Sequence, residues 1–199
     1  MIIAVTNRLL CADIFLNRIE KICKAKPDAL ILREKDLPDF DYENLAAHIK
    51  KICDACGVYL FVNSKIDSAV NLNIRKIQLS FDSFIKNRDG LKCFETVAVS
   101  VHSAQEAQKA ASCGASFLIA GHIFETACKK DIASRGIEFL REITKTVNIP
   151  VIAIGGINQS NIKEIKQAGA KGICLMSSLM LSENPEGLIF QYKQILNSL

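Results

Sequence analysis

The sequence predicts a single closed (β/α)8 barrel, and three observations predict it. Eight short apolar runs alternate with stretches of helical periodicity along the 199 residues. The runs are almost continuously apolar, as parallel strands buried on both faces are. No Gly/Pro/Ser-rich linker divides the chain, so one domain over residues 1–199 accounts for it, at the short end for this fold. An open doubly wound sheet is the alternative. It carries its glycine-rich phosphate turn after the first strand, where this chain has Asn7-Arg8-Leu9 and no glycine.

The expected strands are Ile2–Thr6, Ala29–Leu32, Tyr59–Asn63, Lys76–Leu79, Thr96–Ser100, Phe117–Ala120, Val151–Ile154 and Gly172–Met176. Between the first two, Asp13–Lys24 sets Ile14, Phe15, Ile19 and Ile22 at helical spacing. Asp41–Cys56 opens on a capping residue type and stops before Gly57. Ile66 to Leu72 is short and weakly helical, and Phe81–Lys92 shows no clear period. Ser103–Cys113 opens with Ser103-Ala-Gln-Glu106, a capping-box pattern, and stops at Gly114. Ile137–Thr146 follows Gly136, and Ser160–Ala168 stops at Gly169. Asn184–Leu199 has Asn184 as cap and Pro185 at the first helical position.

Composition removes several function classes. Apolar residues make up 49% of the chain, enough for a sizeable core, yet no run nears the ~18 residues that span a bilayer. The apolar run Ile2–Val5 ends at Thr6, Asn7 and Arg8, too soon for a signal peptide, so the expectation is a cytoplasmic protein. The net charge of +4 is spread out, with Lys50–Lys51 and Lys129–Lys130 as pairs and no basic tract. That pattern argues against a nucleic-acid partner and for local anion binding. The eight cysteines sit largely in apolar, regular segments and read as free thiols. Cys53-Asp-Ala-Cys56 has CxxC spacing, but no second CxxC or histidine pair completes a zinc set.

In a barrel the C-terminal strand ends converge on the site. Here they supply Thr6 and Asn7, Arg33 and Lys35, Asn63 and Ser64, Ser80, Ser100 and His102, His122, Gly155 and Gly156, and Ser177 and Ser178. Gly155–Gly156 and Ser177–Ser178 follow strands seven and eight, the two loops that commonly hold phosphate in this fold. A tight turn before an ordinary helix cap would leave the same letters. Arg33-Glu34-Lys35 aims two cations to one side, suited to an anionic substrate group, or else forms a solvated loop with an internal ion pair to Glu34. His122 follows an apolar strand and is a candidate proton carrier, though a histidine bonded to loop backbone fits the position as well. Thr126-Ala-Cys128-Lys129-Lys130 lies in a long loop able to fold over a ligand, or is a hydrophilic connection. Nothing around Cys128 marks an activating partner.

These motifs together resemble the thiamine phosphate synthase and TenI superfamily over nearly the whole chain. The markers are Val5-Thr6-Asn7, Leu32-Arg33-Glu34-Lys35, Asn63, Val99-Ser-Val-His102-Ser103, Gly121-His122-Ile-Phe124-Glu-Thr126-Ala-Cys128-Lys129-Lys130 and Pro150-Val-Ile-Ala-Ile-Gly155-Gly156-Ile157. The resemblance implies the barrel independently of periodicity. It also implies substrate contacts for Arg33, Lys35, Asn63, His102, Thr126 and Lys129, and phosphate contacts for Gly155, Gly156, Ser177 and Ser178.

The superfamily has two branches. The synthase joins a pyrimidine diphosphate to a thiazole phosphate and uses magnesium. Its pattern has Gln where this chain has Ile31, Asp where it has Ser64, and a second acidic ligand where it has Ser83, next to Asp82. Magnesium prefers carboxylate oxygens, so the metal-dependent coupling loses support, and no metal or other cofactor is expected. Gly121-His122-Ile-Phe124, Cys128-Lys129-Lys130 and Arg135-Gly136 are similar to the TenI branch. That branch implies a thiazole tautomerase, an isomerase that aromatises a thiazole carboxylate phosphate by proton transfer, with His122 as the catalytic residue. The expected partners are a small phosphorylated thiazole as substrate and thiazole synthase as a candidate protein partner. No membrane or nucleic acid is expected, and homo-oligomerisation is left open. Synthase activity and a non-catalytic regulatory barrel are the alternatives.

Overall fold

The computed structural model describes residues 1–126 and 133–198. Strands β1 (Ile2–Val5), β2 (Ala29–Leu32), β3 (Tyr59–Asn63), β4 (Lys76–Ser80), β5 (Thr96–Val101), β6 (Phe117–Gly121), β7 (Val151–Ile154) and β8 (Gly172–Leu175) close into a barrel in sequence order. Every neighbouring pair is parallel, and β1 seals the barrel against β8 with Ile3 opposite Cys174.

The helices are α1 (Phe15–Lys24), α2 (Asp39–Cys56), α3 (Ile66–Asn71), α4 (Phe81–Lys86), α5 (Ala104–Ser112), α6 (Gly136–Thr146), α7 (Ile162–Gln167), α8 (Ser177–Leu181) and α9 (Pro185–Ser198). Strand positions match the sequence expectation to within a residue at each end. Helix starts shift more. α2 begins at Asp39, two residues before the expected Asp41, because Pro38 supplies the extended turn before it. The unreadable stretch after β4 is α4 capped by Ser80, then a 3-10 turn over Arg88–Cys93, both too short to show a period. The five-residue α8 was not anticipated. Asn184 caps α9 as expected, its side-chain oxygen accepting from Gly187 N–H at 2.9 Å.

Alternation along the strands divides the core in two. One face of each strand packs against the helices, and this shell holds most of the buried apolar side chains. The other face fills the bore with Ile3, Val5, Ala29, Ile31, Phe61, Ala98, Phe117, Ile119, Ile152 and Cys174. The Phe61 and Phe117 rings meet edge to face there, centroids 5.7 Å apart. Continued upward, the inward register runs from apolar to polar: Ile31 to Arg33, Phe61 to Asn63, Ala98 to Ser100. The bore is therefore a plugged floor under a polar mouth. No helix among the described residues is long and apolar enough to cross a membrane.

Candidate active site

The mouth is stitched from strand to strand by polar contacts. At β1, the buried Thr6 hydroxyl donates to Glu34 at 2.6 Å and accepts from the Arg33 backbone N–H at 2.9 Å. Glu34, 2% exposed, also accepts from the Arg8 backbone N–H at 3.1 Å and from its guanidinium at 3.2 Å. The same guanidinium grips both oxygens of Asp36 at 2.5 and 2.6 Å, which holds the Asp36 carboxyl below its usual range. Between β2 and β3, the Tyr42 hydroxyl donates to Leu32 O at 2.7 Å and accepts from Asn63 N–H at 3.3 Å. Burial pushes the Tyr42 phenol up, so it stays a neutral donor.

The stitching continues round the rim. Asn63 Nδ2 donates to Gln78 Oε1 at 2.5 Å, and Gln78 Nε2 donates to Ser100 Oγ at 2.9 Å and Leu79 O at 2.8 Å. His102 Nδ1 lies 2.8 Å from Gly121 O. A carbonyl can only accept, so Nδ1 carries the proton. The expected capping box forms in altered shape: Ser103 caps Glu106 N–H at 3.1 Å, but Glu106 reaches back to His102 N–H at 2.7 Å. That bond anchors the backbone from which His102 projects.

From β6 to β7 the loops pack backbone to backbone. Ile123 N–H donates to Ile154 O at 2.9 Å and Phe124 N–H to Gly155 O at 3.0 Å. Gly155 and Gly156 have φ of +105° and +64°. A β-carbon at Gly155 would strike His122, and one at Gly156 would strike Phe124 and the Glu125 carbonyl. These glycines are demanded by the β6 loop as well as by any phosphate. After β8, Ser177 and Ser178 open α8, and their N–H groups precede the first bonds of that helix, which run from Leu179 and Met180 N–H to Met176 O at 3.1 and 3.0 Å. The buried Arg18 of α1 holds that helix from behind, donating to Leu179 O at 3.3 Å and to Ser182 O.

All the expected site residues that are described lie at the C-terminal end of the barrel. His122 is buried against the β7 glycines, Asn63 is buried on β3, and Arg33 and Thr126 are half-buried. Lys35 and His102 are exposed, and Gly155, Gly156, Ser177 and Ser178 are half-exposed. Cys128, Lys129 and Lys130 fall outside the described residues. The Glu34 ion pair is made with Arg8, not within the Arg33-Glu34-Lys35 loop. The Arg33 side chain makes no hydrogen bond or ion pair among the described residues. Sequence reasoning missed Arg8, Tyr42 and Gln78 as parts of the mouth. Gln78 was detectable as an amide inside the apolar run Ile77 to Leu79, whereas Tyr42 gave no signal, lying in an ordinary helix.

Comparison with known proteins gives consistent matches. The family model described as thiamine monophosphate synthase (TMP-TENI) matches residues 2–179. A thiamine-phosphate synthase of Pyrococcus horikoshii is 34% identical over 90% of this chain and 86% of that protein. One from Methanobrevibacter smithii is 32% identical over 95% of this chain and 93% of that protein. Among solved structures, a thiamine phosphate pyrophosphorylase from Pyrococcus furiosus superposes with a TM-score of 0.86 at 25% identity, covering 99% of this chain and 95% of that one.

These matches overturn the tautomerase expectation. The relatives carry the name of a synthase, a transferase, and not of an isomerase. The error lay in treating the missing carboxylates at Ser64 and Ser83 as loss of the reaction. They are only one means of neutralising its diphosphate. The isomerase reading was the ground for His122 as a proton carrier, and the structure places that residue buried beside Gly155.

Proposed function

The chain belongs to the thiamine monophosphate synthase (TMP-TENI) family, and we propose that it is a thiamine-phosphate synthase, joining a pyrimidine diphosphate to a thiazole phosphate. The end-to-end match to proteins of that name carries this reading. The polar, partly cationic mouth suits it.

The reaction balances without a proton carrier. The lone pair of the thiazole nitrogen forms the new C–N bond at the pyrimidine methylene carbon. The C–O bond to diphosphate breaks, and its electron pair leaves with the diphosphate. The chain must therefore hold two anions and orient two rings. Arg33 and Lys35 stand beyond β2 as cations for the leaving diphosphate, with Lys129 a further candidate from the sequence. Charge developing on that group is stabilised by fixed donors in place before the bond breaks. The backbone N–H groups of Gly155–Gly156 and Ser177–Ser178 receive the thiazole phosphate. His122, buried against Gly155, walls that pocket, and Thr126 and His102 flank the rings.

The donor set does not fit a carboxylate-bound magnesium ion. The mouth carboxylates Glu34 and Asp36 are both bound to Arg8. Ser64 is neutral and exposed, and the Ser83 hydroxyl accepts from Asn87, the residue that ends its helix, at 3.4 Å. Asp82 is exposed on α4, and no group of three or more acidic, histidine or cysteine side chains gathers for a metal among the described residues.

The test is direct. Purified protein is incubated with the pyrimidine diphosphate and the thiazole phosphate, and product is oxidised to its fluorescent thiochrome. Thiamine phosphate formation at a rate proportional to enzyme is expected. Its absence with both substrates at saturation overturns the reading.

A further inference from the structure

Three cysteines gather at the C-terminal ends of α1 and α2, the end of the barrel opposite the polar mouth. Cys23 and Cys53 are wholly buried where the two helices pack, their sulfurs 3.8 Å apart in hydrogen-bond contact. No other two cysteine sulfurs among the described residues touch in this way. The sulfurs of a disulfide lie about 2.05 Å apart, so closing by about 2 Å joins the pair. Neither sulfur meets solvent, so an oxidant needs a route to them. Cys56 supplies it. This residue stands three positions beyond Cys53, on the same side of α2, and is half-buried. The Cys53-Asp-Ala-Cys56 spacing, for which the mouth has no use, thus connects a buried dithiol to the surface.

The surroundings of Cys56 select the oxidant. Burial pushes its thiol up, and the Cys23 sulfur adds to this, so at neutral pH it keeps its proton and reacts slowly unless an oxidant is held beside it. Lys24 and Lys26 face it and pull the other way, against Glu20 alone. Lys193 of α9 adds a third ammonium, donating to Ala25 O at 2.9 Å and Lys26 O at 2.6 Å. This end of α1 therefore attracts an anion.

We propose that Cys23, Cys53 and Cys56 form a thiol–disulfide exchange site that takes a small anionic disulfide at Cys56 and stores the oxidation as a Cys23–Cys53 bond. The Cys56 sulfur attacks one sulfur of the oxidant and breaks its S–S bond, and the first thiol leaves with the Cys56 proton. Cys53 attacks the Cys56 sulfur next, and the second thiol leaves with the Cys53 proton. Cys23 then attacks Cys53, and Cys56 departs with the Cys23 proton, restored as a thiol. Two protein thiols are oxidised, and one small disulfide is reduced to two thiols. Within the pair, the shared hydrogen bond lowers the Cys23 thiol and raises that of Cys53, which suits Cys23 to the final attack. The bond ties α1 to α2 across 30 positions of chain. The site is remote from the mouth and independent of the synthase reading.

The probe is glutathione disulfide, incubated with the reduced, folded chain. The reaction is quenched in acid, free thiols are alkylated in urea, and peptides are mapped without reduction. A Cys23–Cys53 link with Cys56 alkylated is expected, and dithiothreitol should reverse it. Cys56→Ser, at a half-buried position, should slow formation of the link by about tenfold or more. The cationic disulfide cystamine should form it more slowly than glutathione disulfide does, each rate taken relative to modification of the exposed Cys93, and 1 M salt should narrow that gap. Cys23 and Cys53 both recovered as free thiols once Cys93 is fully modified overturns the proposal, and this result needs no variant. An unchanged rate in Cys56→Ser overturns the relay, and cystamine reacting as fast as glutathione disulfide overturns the preference for an anion.

Discussion

Glu34 and Arg8 are joined twice, through the Arg8 backbone N–H at 3.1 Å and through its guanidinium at 3.2 Å. The carboxylate is buried and takes the Thr6 hydroxyl as well, so three donors from the β1 loop converge on one residue of the β2 loop. Glu34→Gln keeps the shape but turns an amide N–H toward a cation or a hydroxyl. It should cost roughly 2 kcal/mol, in the range for hydrogen bonds to a charged group, read as a shift in the urea midpoint with unchanged slope. A variant as stable as the parent would mean that the clamp is decorative.

The outer half of the clamp predicts an acid limb. Arg8 holds the Asp36 carboxyl below its usual range by a bidentate hydrogen bond. In the unfolded chain Asp36 takes up its proton near pH ~3.9, while in the folded chain it does so lower. Below that pH the unfolded state binds more protons, so this contribution is present at neutral pH and lost as pH falls through the folded value. Asp36→Asn should flatten that limb of the stability profile. The pair is exposed, so 1 M salt should flatten it too.

The phosphate loops call for a charge rather than a bulky side chain. Gly156→Val would collide with Phe124 and the Glu125 carbonyl whether or not a ligand is bound, so its loss of binding would carry no information about phosphate. Ser178→Glu places an anion at the half-exposed start of α8. It should weaken binding of inorganic phosphate by about tenfold or more with little change in thermal midpoint. Undiminished phosphate binding would move the site elsewhere in the mouth.

The donor set predicts behaviour toward chelators. Thiamine phosphate formation should persist in excess EDTA, since Glu34 and Asp36 are taken up by Arg8 and no group of three or more acidic, histidine or cysteine side chains gathers among the described residues. The double variant Ser64→Asp, Ser83→Asp should acquire magnesium stimulation that the parent lacks. A strict magnesium requirement in the parent chain would refute the assignment of diphosphate binding to protein cations.

The barrel was legible because each strand is buried on both faces and so is written as an apolar run, such as Ile2–Val5 or Val151–Ile154. Strand ends then named the mouth by simple counting. What stayed illegible depends on who bonds to whom. Glu34 reads equally well as a partner of Arg33, Lys35 or Arg8, and only the approach of the β1 and β2 loops decides for Arg8. The glycine pair reads as a phosphate cradle, yet its tightest neighbours are His122, Phe124 and Glu125. The reaction was misread because two serines say what the site lacks and not what replaces it.

The Asn63, Gln78 and Ser100 contacts all run the same way. Asn63 gives to Gln78, and Gln78 gives to Ser100. Ser100 Oγ is an acceptor in this row, so its own O–H is left to donate. The row therefore has a head that takes a hydrogen, Asn63 Oδ1, and a tail that offers one, the Ser100 hydroxyl. A ligand that spans the row needs a donor at one end and an acceptor at the other. Bridging both ends would close the row into a circuit in which each bond polarises the next. Reversing any one amide would break that circuit at two joints, so binding strength should depend on the direction of the whole row more than on any single contact within it.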